Sequence, residues 1–188
     1  MSTVRRRFHE GILLHARLRA ICVPLTLRHR RERLQWACQH VHYMRDQWRI
    51  VLFTDESRFS LERDNRHILI WREPGSRFCP SHIRERNAYR SGSVCLWGGI
   101  SLSGRKDLHV FSCGNENAQI YRDDILDAYV RPFAGAVGDA FVLQDDNVRP
   151  HRARIVDVYL EHETIQCMQW PAQSPDLNPI EHVWDTLV

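Results

Sequence analysis

An α/β fold, built as a mixed sheet with helices on both faces and preceded by a basic helical arm, is the architecture this sequence predicts. Three observations lead there. Short apolar runs ending in polar residues fill the middle of the chain, and strands then alternate with helices, the order expected of a mixed sheet packed between helices. The composition is that of an ordinary globular chain, with 188 residues, 43% hydrophobic and 26% charged, enough for one domain with an appendage. The third observation is the charge distribution. Residues 1–49 hold eleven arginines against Glu10, Glu32 and Asp46, a net of +8, while the remainder carries −5. A basic arm on an acidic body points to a polyanionic partner near the arm and a cation site in the body. A solvated, arginine-rich helix surface would give the same balance.

Other classes are set aside on similar grounds. No apolar run approaches the ~20 residues needed to cross a bilayer, so no membrane partner is expected. The N-terminal stretch MSTVRRRFHE is basic but lacks the apolar segment of a signal peptide. Cys22, Cys38, Cys79, Cys95, Cys113 and Cys167 are scattered without a CxxC pair and read as reduced thiols. Cys38 and His42 have the spacing of a zinc pair on a helix, but no second pair accompanies them.

Taken in order, residues 1–10 read as the end of a helix and 11–25 as a linker containing Pro24. Thr26 is a fair N-cap for a helix over about 27–46, with Leu27, Leu34, Val41 and the Ala37/Cys38 pair as its apolar stripe. Ile50 to Phe53 is a buried strand ending at Thr54-Asp55-Glu56-Ser57. Phe59 to Leu61 and His67 to Trp71 read as two further strands joined by a turn at 63–66. Residues 72–92 are long, polar and interrupted by Pro74, Gly75, Pro80 and Gly92, and such loops are usually functional. Ser93 to Leu102 and Leu108 to Phe111 are strands. A helix runs over about 118–137, with Ile120, Ile125, Tyr129 and Phe133 on one side and Pro132 set to kink it or end it early. Phe141 to Leu143 is a strand leading into Gln144-Asp145-Asp146-Asn147. Pro150 opens a helix with Ala153, Val156 and Leu160 inward, Ile165 to Met168 is a short strand, and a last helix starts near Pro179.

Three carboxylates stand where chemistry is built. Asp55 and Asp146 end strands, where open sheets place their sites, and Glu181 lies in the first turn of the last helix. Hard divalent cations take oxygen ligands of this kind, and a pair of ions can act on both the attacking and the leaving oxygen of a phosphodiester. Each also has a purely structural reading. Asp55 can simply end a strand, Asp145 or Asp146 can make a turn, and Glu181 falls at N3 behind Asn178 and Pro179, where it favours the helix start.

Trp48 with ValLeuPheThrAspGluSerArgPhe (51–59), CysLeuTrpGlyGlyIleSer (95–101), GlnAspAspAsnValArgProHis (144–151) and SerProAspLeuAsnProIleGlu (174–181), in this order, resemble the successive signatures of Tc/mariner cut-and-paste DNA transposases. The resemblance runs over the whole chain. It implies a ribonuclease H-like catalytic core in which an Asp, Asp, Glu triad binds two Mg2+ or Mn2+ ions. Carried over position by position, the triad is Asp55, Asp146 and Glu181, catalytic and metal-binding at once. The 34 residues between Asp146 and Glu181 match the Glu-bearing branch; Asp145 stands where that branch usually has Gln, an extra negative charge beside the metals. Trp97-Gly98-Gly99 would be a central strand in which the glycines serve packing or close approach. Asn147 and His151 are candidates for orienting groups near the metals, against the plainer readings of a helix-capping Asn and a surface His.

The resemblance further implies binding of transposon terminal inverted repeats and target DNA, with Arg5, Arg6, Arg7, Arg28, Arg30, Arg31, Arg77, Arg84 and Arg86 as phosphate contacts, pairing of subunits into a homodimer through the 72–92 loop, and action in the nucleus. Residues 1–25 are then the remnant of a second helix-turn-helix unit with its linker, and 26–188 the catalytic domain, with helix 26–47 leading into its core. On this reading the chain is truncated at both ends. The expected function is metal-dependent hydrolysis at transposon ends followed by strand transfer. The alternatives are a catalytically inactive relic that only binds DNA or pairs with full-length enzyme, and a different nuclease on the same fold.

Overall fold

The computed structural model describes residues 25–59, 73, 93–111 and 117–187, and the backbone course alone of 15–18, 20–21, 60, 69–72 and 83–84. The chain divides into two compact units, residues 1–24 with 60–92, and residues 25–59 with 93–188.

In the first unit, strands β1 (His15–Leu18) and β2 (Ala20–Ile21) occupy what the sequence predicts to be a linker. Their partners are distant in sequence, which is why no local period announces them. β1 pairs antiparallel with β4 (Leu69–Arg72), and β2 pairs parallel with β5 (Ile83–Arg84). The expected helix end at 1–10, the turn at 63–66 and most of the 72–92 loop lie outside the described residues.

The second unit carries the central sheet. Its strands are β3 (Val51–Ser60), β6 (Ser93–Ser101), β7 (Gly104–Arg105), β8 (His109–Val110), β9 (Val142–Gln144) and β10 (Gln166–Cys167), in the order β10-β9-β3-β6-β7 with β8 also on β6. β10, β9 and β3 are parallel, and β7 and β8 run antiparallel to β6. The sheet is therefore mixed, as the element order predicts.

Helices cover both faces. α1 (Leu27–His40) opens on Thr26, whose hydroxyl accepts the His29 N–H at 3.2 Å. It stops at His40 rather than running to 46. The Gln47 side chain accepts the Met44 N–H at 2.8 Å and starts a separate short helix, α2 (Arg45–Arg49). The expected apolar stripe is also corrected, because Leu27, Leu34 and Val41 are 71%, 67% and 68% exposed. α1 packs through Trp36 instead, which meets Trp170 edge-on at 4.9 Å and joins Val51, Phe53 and Trp48 on one face of the sheet. The ring of a tryptophan buries more surface than the aliphatic side chains it replaces.

The other face is covered by α3 and α4 (Arg154–His162). α3 comprises an α turn, Ala118–Ile120, a π-helical stretch, Tyr121–Val130, and an α segment, Arg131–Val137. Pro132 neither ends nor splits this helix. The widened turns just upstream, with the Arg131 N–H donating to the Leu126 carbonyl, bring the chain past a residue that has no N–H to give. Tyr121, Ile125, Leu126 and Val130 pack with Val156 and Leu160 of α4 against Leu52, Trp97 and Leu143 of the sheet. The predicted helix from Pro150 begins as a 3-10 turn, Pro150–Arg152, before α4. The last helix, α5 (Pro179–Thr186), starts where Pro179 places it.

Candidate active site

β3 and β9 are parallel neighbours in the register Leu52 with Leu143 and Phe53 with Gln144. Continuing that register by two residues brings Asp55 level with Asp146; β3 runs on through the expected stop at Thr54–Ser57, so Asp55 stands midway along it, while Asp146 lies two residues beyond the end of β9. Thr54 locks the register, its hydroxyl donating to the Gln144 carbonyl at 2.8 Å and its N–H donating to Gln144 Oε1 at 3.2 Å.

α5 is fastened to the middle of β3 at two points. The buried Asn178 amide donates to the Thr54 carbonyl at 2.9 Å, and its oxygen caps the helix by accepting the Ile180 N–H. Two turns on, the Trp184 indole N–H donates to Asp55 Oδ2 at 2.9 Å. Residues 178, 181 and 184 are spaced three apart and share a helix face, so Glu181 lies between two contacts made to Thr54 and Asp55. The sheet makes room for Trp184 at Gly98, where an added Cβ would stand 2.8 Å from the indole ring. That glycine therefore serves packing, the plainer of its two readings.

Asp146 turns towards His151. The imidazole Nδ1 lies 3.0 Å from Asp146 Oδ1 and Nε2 lies 3.7 Å from Glu56 Oε1. His151 is 1% exposed and stacks on Tyr121 with ring centroids 3.8 Å apart, which corrects the surface reading. Glu56, Asp146 and His151 form the one group of such side chains among the described residues whose ligand atoms all lie within 4.8 Å. Asp55 and Glu181 stand outside that group. Like charges repel, and each Asp has a donor of its own, the Trp184 indole for Asp55 and the Val148 N–H, at 3.2 Å, for Asp146.

Asp145 is wholly buried, and Arg152 meets it at 2.6 Å. Burial pushes its carboxyl above the usual range, with Arg152 and His151 opposing that rise. Nearby, burial pushes the Cys167 thiol up to about 12. Asn147 does not cap a helix; it donates to the Trp170 carbonyl at 2.8 Å and accepts from Arg152.

Of the predicted phosphate contacts, Arg28, Arg30 and Arg31 are exposed on α1, and Arg28 is paired with Glu32 at 2.6 Å. Arg84 lies on β5, described by its backbone course. Arg5, Arg6, Arg7, Arg77 and Arg86 lie outside the described residues. Arg33 leaves the α1 surface and grips Asp176, just before α5, through both carboxylate oxygens. Sequence reasoning misses Glu56 and Arg152. Their signal is adjacency alone, since Glu56 follows Asp55 and Arg152 follows His151.

The sheet order is that of a ribonuclease H-like core. The sequence profile of the DDE superfamily endonucleases matches residues 50–188. The Tcb2 transposase of Caenorhabditis briggsae is 35% identical over 186 residues, covering 98% of this chain and 67% of that protein. The Tc1 transposase of Caenorhabditis elegans is 32% identical over the same shares. Among solved structures, the Mos1 transposase paired-end complex with left transposon end superposes with a TM-score of 0.65 at 18% identity, over 98% of this chain and 55% of that one. The catalytic domain of Mos1 mariner transposase gives 0.60 at 17% identity, over 89% and 73%. The chain belongs to the DDE superfamily endonucleases, as a transposase catalytic domain of Tc1/mariner type. It spans about two thirds of the length of the Tc relatives and about half of the Mos1 chain.

Proposed function

We propose that this chain is the catalytic core of a cut-and-paste DNA transposase, hydrolysing phosphodiester bonds at transposon ends and joining the freed 3′-hydroxyl to target DNA. The observation that carries the reading is the way α5 is tied to β3. Asn178 and Trp184 bond consecutive residues of β3, with Glu181 between them and Asp146 level with Asp55 across the parallel register. This arrangement supports a site built on carboxylates from three elements.

Their oxygens suit a hard divalent cation, and the Mos1 catalytic domain has been solved with Mg and with Mn. Asp55, Asp146 and Glu181 would hold Mg2+ or Mn2+, two ions in all. When bound, the metal supplies positive charge at the attacking and leaving oxygens of the phosphodiester. The protein's own part is orientation: the Trp184 indole aims Asp55, the Val148 N–H aims Asp146, and Asn178 sets the start of the helix that carries Glu181. Arg30 and Arg31, on the exposed side of α1, would hold the DNA backbone without reading sequence. A DNA substrate implies action in the nucleus, and transposon-end synapsis would call for a second subunit.

The test is cleavage of a labelled duplex in Mn2+ by the wild-type chain, Asp146→Asn and Asp145→Asn. Cleavage that is present in the wild type and abolished by Asp146→Asn supports the reading. A wild-type chain that binds duplex but does not cut it, with any metal, overturns it in favour of the DNA-binding relic.

A further inference from the structure

Arg152 touches the residues on either side of Asp146. Its Nη2 donates to Asp145 Oδ1 at 2.6 Å and to Asn147 Oδ1 at 3.1 Å, its Nε reaches the same Asn147 oxygen at 3.3 Å, and Nη1 lies 3.4 Å from Asp145 Oδ2. Asn147 is anchored in turn by donating to the Trp170 carbonyl. One planar guanidinium thus spans positions 145 and 147, and the segment between them has little freedom left. Only the rigid, five-donor fork of arginine can serve two side chains in this way; a lysine offers a point charge on a flexible stem. Asp145 has no exposed surface, so its charge must be matched inside the protein. Arg152 supplies that match, and the extra carboxylate beside Asp146 adds no net charge to the site.

We propose that the Asp145–Arg152–Asn147 clamp is a positioning device for Asp146, fixing where that carboxylate presents its oxygens to a divalent cation. The proposal rests on the reading of Asp146 as a metal ligand. It assigns Arg152 a positioning role and explains how Asp145 stands where the resemblance leads one to expect Gln.

The experiment is titration of the full 188-residue chain with Mn2+ alone, followed by the electron paramagnetic resonance of free Mn2+. It compares the wild type, Arg152→Lys, Asp145→Asn/Arg152→Gln and Asp146→Asn, each with its thermal midpoint. Arg152→Lys keeps the charge and loses the span; the double variant removes both charges, leaves neither without its counterpart, and guards against misfolding of the first. Both are expected to bind Mn2+ about tenfold more weakly, the order seen when outer partners of metal ligands are removed, with Arg152→Lys melting close to the wild type. Wild-type Mn2+ affinity in either variant, with affinity abolished in Asp146→Asn, overturns the clamp and leaves the proposed function standing. Wild-type protein whose Mn2+ binding is no stronger than that of Asp146→Asn overturns both.

Discussion

The Asn178 amide donates to the Thr54 carbonyl while its oxygen caps α5, so truncation to alanine leaves a strand carbonyl and a helix start unsatisfied together. Asn178→Ala should cost about 2 kcal/mol in urea unfolding, a missing cap plus a buried group without its partner. An unchanged unfolding midpoint would show that the amide is not what fastens the helix. Trp184→Phe removes the N–H that holds Asp55 together with the outer ring that meets Gly98, so cleavage and melting temperature should both fall. Trp184→Phe/Gly98→Ala, in which a methyl takes up part of the vacated space, should regain melting temperature and leave cleavage roughly tenfold down, by analogy with outer partners of metal ligands. Recovery of both together would make Trp184 a packing residue only.

Two elements, α1 and α5, depend on interactions that can be tested separately. Gly98→Ala sets a methyl 2.8 Å from the Trp184 ring, and an overpacked site of this kind costs about 1–3 kcal/mol. Thermal unfolding of the variant measures that cost, and wild-type stability would show that α5 can shift freely. At the other element, the Arg33 guanidinium donates to Asp176 and holds its carboxyl below the usual range. A depressed carboxylate pKa stabilises the fold above its unfolded value, near 3.9, and that contribution disappears as pH falls through the lower folded value. Because Asp176 is largely exposed, the contribution is about 0.5 kcal/mol. The stability gap between wild type and Asp176→Asn should thus be present at about pH 6 and shrink as pH falls below the ordinary carboxylate range; a gap independent of pH removes the ion pair from the account.

The sequence makes some elements plain and hides others for identifiable reasons. β6, α5 and the first half of β3 are legible because apolar runs, a Pro at the first helical position and an Asn cap are local signals; the rest of β3 is hidden because the polar residues 54–58 join the expected strands at 50–53 and 59–61 into one. α1 misleads because its aliphatic residues repeat every seven positions while a single tryptophan carries the packing. In α3 the buried residues fall four to five apart, at 121, 125, 126 and 130, a π-helical spacing that a 3.6-residue period blurs. The three carboxylates can be picked out by position, and the family resemblance chooses among the aspartates. Burial of His151 and the grip of Arg152 depend on Tyr121 and Trp170, which are distant in the chain on either side, and no local pattern reports such interactions.

For the molecule as a whole, the basic arm is expected to act through charge rather than shape. Arg30→Ala/Arg31→Ala should weaken duplex binding alike for all sequences and lower the salt slope of log K by roughly 1.8, about 0.9 for each phosphate that is no longer neutralised. Fluorescence anisotropy from about 50 to 200 mM salt reads this directly, and an unchanged slope would move the DNA backbone elsewhere on the protein. The central sheet has a further consequence. It ends on β10 at one side and on β7 and β8 at the other, each only two residues long. A foreign strand finds almost no row of free amides and carbonyls on which to template itself. Among the described residues, the sheet is thus poorly suited to growing into fibrils by adding strands at these two edges.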